Sequence, residues 1–315
     1  MYFCDYETAS SPAAPLSAQA QKSDVYVSPL IENAYRGARG HPHRCCRHQE
    51  RAEEKSWMWP TTVAYSQIAP FYDCTVGMEF FLRVRQAFSK LVRRYGIRFC
   101  SVADIGCGTG LFACYLNQCW GVPVYGVDRS LEMLRQANRN CPSTGVCFLQ
   151  QDIRCLTLPS QVDLITANFD TLNHLNSPLD LRRAFERVAV NLRPGGHFYF
   201  DVLTPCQLAS RYDVLVQNRC VKKSWLQQRI DWDPRTRLLR TVALEKRGGC
   251  CLPAITRVTE RAYEPREIGT WLSDAGFIVR GVHDAETLQV ATGCPPRIIV
   301  VAQKTAWSDR IKLKG

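Results

Sequence analysis

The stretch VADIGCGTGLFACYL, residues 102–116, decides the fold class of this 315-residue chain. A short apolar run leads into three glycines and then into a segment with helical spacing, which is the order of a strand, a turn and a helix. Gly106, Gly108 and Gly110 lack a Cβ atom, so the backbone can turn tightly there and approach a ligand closely. Asp104 precedes the first glycine by two residues, where its charge would repel the pyrophosphate of a dinucleotide. The spacing G-x-G-x-G also differs from the dinucleotide-binding fingerprint G-x-G-x-x-G.

Strand and helix patterns continue to alternate along the chain after this stretch. Apolar runs typical of strands lie at 99–106, 123–128, 146–152, 162–169 and 197–203. Patterns typical of helices lie at 110–120, 129–140 and 178–192. Because parallel strands joined by helical crossovers are covered on both faces, we expect an α/β fold with helices on both faces of the sheet.

The pattern changes after Pro205, where alternating polar and apolar residues replace the helical spacing. Residues 224–249 indicate a hairpin that turns at Asp233–Pro234, and 255–263 indicates a further strand. A helical pattern at 264–276 and two closing strands follow. We therefore expect seven strands in the main sheet and a β-rich insertion at about 207–263, after the fifth strand.

The N-terminal region differs in composition from the rest of the chain. It is rich in Ser, Ala, Pro, Arg and His and shows no sustained period, so we expect residues 1–56 to form a disordered tail. Its segment HPHRCCRH has His and Cys at a spacing that fits no usual structural zinc site, and we predict no metal site there. The ligands considered are His41, His43, Cys45, Cys46 and His48.

Composition and charge limit the classes of protein that this chain can belong to. The hydrophobic content of 46% is sufficient for a sizeable core, and no apolar run has the length of a membrane span. The 16 cysteines are scattered without a C-x-x-C pair, and the first residues lack the apolar centre of a secretion signal. We therefore expect a cytoplasmic protein with reduced, mostly buried thiols. The net charge of +11 contains no long Lys/Arg run, which favours solvated surface charge over nucleic-acid binding.

Two acidic residues at strand ends define the ligand that the glycine loop would hold. In an open α/β sheet, ligands bind beyond the carboxyl ends of the strands. An ammonium group beside Asp104 would be favoured by charge-assisted hydrogen bonds, and Asp128 at the end of the second strand is placed to bind ribose hydroxyls. The site therefore requires a nucleoside with a free ribose and a cationic amino acid tail. S-adenosylmethionine has both.

Residues 61–305 resemble the class I S-adenosylmethionine-dependent methyltransferases, of the type that modifies small molecules. The segment YSQIAPFYD resembles their tyrosine-bearing N-terminal segment, and the last two strands resemble their final hairpin. The resemblance implies a Rossmann-like seven-stranded methyltransferase sheet in a domain at 57–315, with the insertion as a lid. The matching segments, in family order and spacing, are VADIGCGTG, VYGVDRSLEML, LQQDI, ITANFDTLNHL and LRPGGHFYFDV.

The resemblance also implies which residues contact the cofactor, S-adenosyl-L-methionine. It assigns the methionine part to Asp104, Gly106, Cys107, Gly108 and Gly110, and the ribose to Asp128. It assigns the adenine to Arg129, Met133, Asp152 and Ile153. It places Asn168 and Phe169 beside the transferable methyl group, and Tyr65 and Tyr72 over the pocket.

Structural roles are the alternatives for several of these residues. Asp152 and Asn168 could cap strand ends, because short polar side chains often bond to nearby backbone. Tyr65 and Tyr72 could be core aromatics. Met133 could pack within its helix.

The segment NFDTLNHL, residues 168–175, follows the fourth strand, where the methyl acceptor should lie. His174 is the best candidate for a catalytic base, and loop capping is its alternative role. The segment lacks the Asp/Asn-Pro-Pro-aromatic sequence of DNA and glutamine methyltransferases, which weakens the case for nucleic-acid methylation. The basic insertion either selects an anionic acceptor or carries charges that protect exposed strand edges.

We therefore expect S-adenosylmethionine-dependent methyl transfer to a nitrogen or oxygen of a small-molecule acceptor. One alternative is an RNA or protein methyltransferase, which only the charge and the tail support. Another is a non-catalytic S-adenosylmethionine-binding module, against which the intact glycine motif and Asp128 argue. The sequence contains neither the G-x-S-x-G motif of serine hydrolases nor a P-loop.

Overall fold

The computed structural model describes residues 65, 68–70, 72–142, 144–206, 208, 215–221, 224–247, 254–293 and 295–305. The predicted tail at 1–56 and the segment HPHRCCRH lie outside these residues. Within the described ranges, no helix has the length and apolar character needed to cross a membrane. The same residues contain no group of three or more His, Cys, Asp or Glu side chains that could hold a metal ion.

The main sheet has seven strands. They are β1 (Val102–Ile105), β2 (Val124–Asp128), β3 (Val146–Gln150), β4 (Val162–Ala167), β5 (Leu192–Leu203), β10 (Phe277–Asp284) and β11 (Arg297–Lys304), and the four strands between β5 and β10 form a second sheet. The order is β3-β2-β1-β4-β5-β11-β10; β1 to β5 are parallel, and β11 runs antiparallel between β5 and β10. The predicted seven-stranded α/β fold is therefore confirmed.

The strand order fixes where a ligand can bind. From β1 the chain adds β2 and β3 on one side and then returns to place β4 on the other side. The direction of strand addition therefore reverses between β1 and β4. The carboxyl ends of these strands border a crevice, which is the usual ligand site of an open α/β sheet.

Helices cover both faces of this sheet, as the alternating pattern predicts. One apolar core includes Phe88 and Leu116 and joins the first three helices to the sheet, and the opposite core includes Phe185 and Leu272 and joins the last two. The helices are α1 (Met78–Arg94), α2 (Leu111–Trp120), α3 (Leu131–Asn140), α4 (Pro178–Asn191) and α5 (Pro265–Asp274).

The insertion forms a separate antiparallel sheet. Its strands are β6 (Leu215–Val221), β7 (Ser224–Asp233), β8 (Leu238–Arg247) and β9 (Ala254–Arg261), paired in that order. The turn between β7 and β8 begins at Asp233, whose Oδ1 accepts hydrogen bonds from the backbone N–H groups of Arg235 and Thr236 at 3.0 and 3.4 Å. The predicted hairpin and third strand are present, and β6 is a strand that the sequence pattern did not reveal.

The insertion is fixed to the main sheet where its chain leaves and returns. The Tyr263 N–H donates to the Leu203 carbonyl at 3.0 Å, which places the two ends side by side. Asn173, which is fully buried, donates from Nδ2 to the Arg261 carbonyl at 2.7 Å and accepts from the Leu203 N–H at 3.0 Å. The Tyr263 hydroxyl donates to the Leu175 carbonyl. The segment after β4 is therefore joined to both ends of the insertion.

The cysteines differ from the sequence expectation. Among the described free thiols, Cys107 and Cys141 are buried, Cys114 is partly buried, and the others are exposed. Cys206, at the start of the insertion, is disulfide-bonded. The expectation of mostly buried thiols is therefore wrong for these residues, and the expectation of reduced thiols is wrong for Cys206, because exposure and pairing depend on the tertiary fold. The exposed thiols are Cys74, Cys100, Cys119, Cys147 and Cys155.

Candidate active site

A cavity of about 190 Å³ lies at the carboxyl ends of β1, β2 and β4. Every residue that the sequence singled out for the site lines it, except Gly110. The residues brought together are Tyr65, Tyr72, Asp104, Gly106, Cys107, Gly108, Asp128, Arg129, Met133, Asp152, Ile153, Asn168, Phe169 and His174.

Gly110 has a packing role, and its contact with the ligand stays a prediction. It is the N-cap residue of α2 and has a φ of 80°. A Cβ atom there would lie 2.9 Å from the Cβ of Ala137 and 3.0 Å from Cζ of Phe148. The glycine therefore allows α2 to approach α3 and β3 closely.

The glycine loop is held to the end of β2 by backbone hydrogen bonds. The N–H groups of Gly106 and Cys107 donate to the Val127 carbonyl at 2.7 and 3.0 Å. Gly106 and Gly108 have φ values of 68° and 53°, which L side chains rarely adopt. A Cβ at Gly106 would lie 2.2 Å from Oγ1 of Thr171, so this glycine also allows the segment after β4 to come close.

Asp104 is a carboxylate buried at the floor of the cavity, with 3% of its surface exposed. Its Oδ1 accepts a hydrogen bond from the Thr166 hydroxyl at 2.7 Å. Burial raises the pKa of Asp104 to about 7, although the Thr166 hydrogen bond opposes this shift. A cation beside the carboxyl group would offset the cost of burying its charge.

Asp128 fixes the shape of the glycine loop. Its Oδ2 accepts from the Gly108 N–H at 2.9 Å, and its Oδ1 accepts from the Ser130 N–H at 2.8 Å. Burial raises the pKa of Asp128, and these backbone hydrogen bonds oppose that rise. The carboxylate therefore connects the end of β2 to the loop after β1, a role that the sequence did not predict.

Asp152 caps the backbone that follows it, as its alternative role predicts, and it also binds arginine side chains. Its Oδ1 accepts from the backbone N–H and Nε of Arg154 at 2.9 and 3.0 Å. Its Oδ2 accepts from Arg154 Nη2 at 2.7 Å and lies 3.6 Å from Arg129 Nη1. Burial raises the pKa of Asp152, but the Arg154 bonds outweigh this and the net shift is downward. These contacts occupy both carboxylate oxygens, so the case for Asp152 as an adenine contact is weaker than the resemblance implies.

The segment after β4 has an unusual backbone. Phe169 and Asp170 both have a φ of 58°, which is uncommon for residues other than glycine. Arg297 holds this conformation from β11: its Nη1 and Nη2 donate to the two oxygens of Asp170 at 2.5 and 2.9 Å. Nη1 also donates to Asp201 at 3.0 Å, and Asp201 accepts from the Asp170 N–H at 3.2 Å. No local pattern indicates this cluster, because its members lie on three separate segments.

Asn168 is the residue of the cavity whose hydrogen bonding is incomplete. It is buried, with 3% of its surface exposed, and neither atom of its side-chain amide has a hydrogen-bond partner among the described residues. A buried amide without a partner costs about 1–3 kcal/mol, so a polar group of a ligand would be favoured beside it.

The N-terminal segment closes one side of the cavity. The Tyr65 hydroxyl lies 3.0 Å from Nε2 of His174, and the Tyr65 and Tyr72 rings pack edge to face. Asp73 holds the segment in place, because it accepts from the Thr109 hydroxyl at 2.5 Å and from Asn140 Nδ2 at 2.9 Å. Asp73 was not identified from the sequence, where it is one acidic residue among many.

The insertion forms the opposite wall. Arg257, Val258 and Thr259 of β9 line the cavity, and the next residue, Glu260, has its Oε1 3.7 Å from Nε2 of His174. Burial lowers the pKa of His174 to about 4, while burial and the nearby Asp170 raise the pKa of Glu260 well above its ordinary value. His174 is therefore neutral near pH 7, and Glu260 is the more basic of the two groups.

Comparison with known proteins identifies the domain that contains this cavity. Residues 102–196 match the family model described as a methyltransferase domain. A Bacillus subtilis (strain 168) protein, YqeM, which is provisionally named a methyltransferase, is 36% identical over 110 residues, or 34% of this chain and 44% of that protein. The dTDP-3-amino-3,6-dideoxy-alpha-D-glucopyranose N,N-dimethyltransferase of Streptomyces fradiae is 30% identical over 133 residues, or 41% of this chain and 51% of that protein. The chain thus spans about half the length of these curated relatives.

A solved structure shows the same fold over a larger part of the chain. The crystal structure of an S-adenosylmethionine-dependent methyltransferase from Clostridium acetobutylicum ATCC 824 superposes with a TM-score of 0.66 at 22% identity. The superposition covers 77% of this chain and 99% of that chain. Residues 102–196 are therefore similar to a methyltransferase domain, and the chain shares the fold of this S-adenosylmethionine-dependent methyltransferase.

Proposed function

We propose that this chain binds S-adenosylmethionine in the cavity and transfers its methyl group to a small-molecule acceptor. The observation that carries the proposal is the pairing of Asp104 with the glycine loop. A buried carboxyl group lies on the floor of a cavity, beside backbone that only glycine adopts easily, and burial raises its pKa to about 7. A ligand with an ammonium group would relieve this cost, whereas a phosphate would increase it.

The residues present fit the rest of this cofactor. Asp128 stands at the end of β2, where an acidic side chain can bind ribose hydroxyls while its backbone hydrogen bonds keep the glycine loop in place. Met133 and Ile153 supply apolar surface for the adenine ring. A Cβ atom at Gly108 would meet no atom within 4 Å, which leaves space beside the loop for the methionine part.

When bound, the cofactor supplies an electrophilic methyl group on a sulfonium. The protein's contribution is alignment of the acceptor, exclusion of water and acceptance of a proton. Asn168 and Phe169, which line the cavity after β4, would border the methyl group, and Tyr65 and Tyr72 would exclude water from the N-terminal side. The unpartnered amide of Asn168 offers a donor and an acceptor for a bound polar group.

The lining of the cavity on three sides supports a small acceptor. The N-terminal segment, the segment after β4 and the insertion all line the same space of about 190 Å³. A base of RNA or a side chain of a folded protein would require an open approach to the methyl group. The acceptor named for the Streptomyces fradiae relative is a dTDP-linked amino sugar, which is far smaller than an RNA or a folded protein.

Calorimetry of the full chain with S-adenosylmethionine, its demethylated product and NAD tests the cofactor part of this proposal. We expect binding of the first two and none of NAD. A control variant, Asp274→Asn, changes an exposed carboxylate on α5 and should bind as the wild type does. Affinity for NAD without affinity for S-adenosylmethionine would contradict the proposal.

The acceptor part requires turnover. Metabolite extracts incubated with the chain and methyl-labelled cofactor should yield a labelled small molecule. Salt-dependent retention of RNA, with label recovered in RNA, would instead support an RNA methyltransferase. Binding of the cofactor with no labelled product in small-molecule, RNA or protein fractions would support a non-catalytic binding module.

A further inference from the structure

Glu260 is a partly buried carboxylate that neither the sequence motifs nor the comparisons assign to any role. We infer that Glu260, together with His174, forms the subsite that receives the acceptor, and that the acceptor is a small-molecule amine entering as its ammonium ion. This inference rests on the proposed function, because it names the acceptor class for the same cavity.

Glu260 does not itself line the cavity but lies beside a lining residue, His174. It follows Arg257, Val258 and Thr259 on β9, which line the cavity opposite the glycine loop. Its Oε1 lies 3.7 Å from His174 Nε2, and the same nitrogen lies 3.0 Å from the Tyr65 hydroxyl. The insertion, the segment after β4 and the N-terminal segment therefore meet at this pair of side chains. The side chains of His174 and Glu260 keep 28% and 14% of their surface exposed, so both remain accessible.

The charged groups around Glu260 leave it without a cation of its own. Asp170 and Asp201 add negative charge, and Arg297 is the cation among the groups that act on Glu260. Arg297 already binds both oxygens of Asp170 and one oxygen of Asp201. Among the described residues that influence Glu260, the positive charge of Arg297 is thus opposed by three carboxyl groups, those of Asp170, Asp201 and Glu260. An arriving ammonium ion would restore the balance, whereas an anionic acceptor would be repelled.

This charge balance is evidence against the anionic acceptor that the basic insertion suggests. Arg257 lines the cavity but is exposed, so water screens its charge. Glu260 is the partly buried carboxylate that the insertion contributes beside His174. Inside a low-dielectric site, a buried charge influences ligand binding more strongly than an exposed one.

Asn168 gives a second, independent sign of a polar ligand at this end. Its side-chain amide is buried, lines the cavity and has no partner for either atom among the described residues. An amine that carries other polar groups, such as hydroxyls, could satisfy the amide while its ammonium group pairs with Glu260.

The chemistry of an amine acceptor matches the properties of the pair. An ammonium ion has no lone pair, so one proton must first pass to the Glu260 carboxylate, directly or through His174 Nε2. The freed nitrogen lone pair then forms a bond to the methyl carbon, and the pair of electrons of the carbon–sulfur bond returns to sulfur. The product is the methylated ammonium, and the proton leaves Glu260 for solvent. The raised pKa of Glu260 makes it the better proton acceptor of the two groups.

The atom that receives the methyl group tests the inference directly. The full chain is incubated with metabolite extracts and with S-adenosylmethionine carrying a ¹³C methyl group, and the labelled product is identified by mass spectrometry and NMR. A methyl group on nitrogen is the expected result. A methyl group on oxygen, carbon or sulfur would overturn the amine inference and leave the proposed function intact. The absence of any labelled product would overturn both.

A pair of matched variants tests the role of Glu260 with the amine so identified. Glu260→Gln keeps the size of the side chain and removes its charge, and Glu286→Gln makes the same change on an exposed loop residue outside the cavity lining. We expect kcat/KM for the amine to fall about 10- to 100-fold in Glu260→Gln, with an unchanged Kd for S-adenosylmethionine, and no change in Glu286→Gln.

The pH profile separates this role from a structural one. In the wild type, kcat/KM should fall at low pH as Glu260 becomes protonated, and Glu260→Gln should lack that dependence. Glu260→Asp keeps the charge and should retain more activity than Glu260→Gln, which provides the comparison if the amide variant folds poorly. Equal activities of the Asp and Gln variants, or an unchanged pH profile, would overturn the inference.

Discussion

The half of the cavity around Asp104 and Asp128 comes from one continuous part of the chain, whereas the half around His174 and Glu260 is assembled from distant segments. In the first half, neighbouring strands and their loops are joined by backbone hydrogen bonds, such as that of Gly108 with Asp128. In the second half, side-chain contacts join segments up to 127 residues apart, such as the pairing of Arg297 with Asp170. Under the proposed function, cofactor binding would therefore depend on local geometry, and acceptor binding on long-range ion pairs.

The largest expected effect comes from breaking those ion pairs. Arg297→Met leaves Asp170 and Asp201 buried without their cation, and we expect a loss of about 3–5 kcal/mol in the free energy of unfolding. Urea denaturation measures this loss, and Arg280→Met, on the exposed edge strand β10, is the control. If the two halves are independent, Arg297→Met should change the Kd for S-adenosylmethionine by less than about threefold. A much larger change would show that the halves are coupled.

The next largest effect concerns the half of the cavity around Asp104 and Asp128. Asp128→Ala removes the expected ribose contacts and also the hydrogen-bond acceptor of the Gly108 N–H. We therefore expect a loss of about 2–4 kcal/mol in cofactor affinity. Calorimetry measures this loss at a fixed pH. The variant should still fold, because the carboxylate contributes little to the apolar core, although the Gly108 and Ser130 N–H groups lose their acceptor. Wild-type affinity would show that Asp128 does not contact the cofactor.

The pH dependence of cofactor binding follows from Asp104. An ammonium group pairs with the ionised carboxylate, but the pKa of about 7 means that Asp104 is increasingly protonated below pH 7. Binding must then release a proton, so affinity should fall about tenfold per pH unit, or about 1.4 kcal/mol, between pH 7 and pH 5. Above about pH 8 the α-amino group of the ligand loses its charge, and affinity should fall again.

Calorimetry between pH 5 and pH 9 checks this profile. Asp104→Asn should bind more weakly near neutral pH and should lack the fall at low pH, because it has no titrating group at this position. A low-pH fall that persists in Asp104→Asn would assign the effect to another residue.

The smallest expected effect concerns the N-terminal segment. Asp73→Ala removes the acceptor of the Thr109 and Asn140 hydrogen bonds, and we expect a loss of about 1 kcal/mol in cofactor affinity through a less ordered wall. Asp73→Asn, which keeps an acceptor oxygen, should lie between Asp73→Ala and the wild type. Faster proteolysis near residue 73 in the presence of cofactor would accompany the loss, and equal proteolysis of all three proteins would contradict it.

The contrast between the halves also explains how far the sequence could be interpreted. The order of strands and helices, and the position of the cofactor loop, follow from local periodicity and from glycine spacing, and both were predicted. The packing role of Gly110 was not predicted, because its packing against Ala137 and Phe148 depends on two other elements. Asp152 was incompletely described because the pattern does not show that Arg154 folds back onto it.

The residues of the acceptor half were only partly predicted. His174 was identified because it lies shortly after the fourth strand, where acceptors are expected. Glu260 and Arg297 lie in strands whose alternation does not show which face is buried, and their partners are far away in the chain. Ion pairs of this kind have no local pattern, so they become visible only when the sheet order is known.

The adjacent ends of the insertion have an evolutionary consequence. The chain leaves the main sheet at Leu203 and returns to it at Tyr263, and these two residues are hydrogen-bonded to each other. The inserted segment between them therefore behaves as a cassette, that is, a unit that can be exchanged at a single junction. Such an exchange costs little chain entropy, because closure of a longer or shorter loop changes the free energy only slowly with length. The cassette carries Glu260, whereas the glycine loop and Asp128 belong to the main sheet and its loops, which an exchange would leave unchanged. Descendants of one ancestral scaffold could therefore acquire new acceptors by replacing this cassette and keep a single methyl donor throughout.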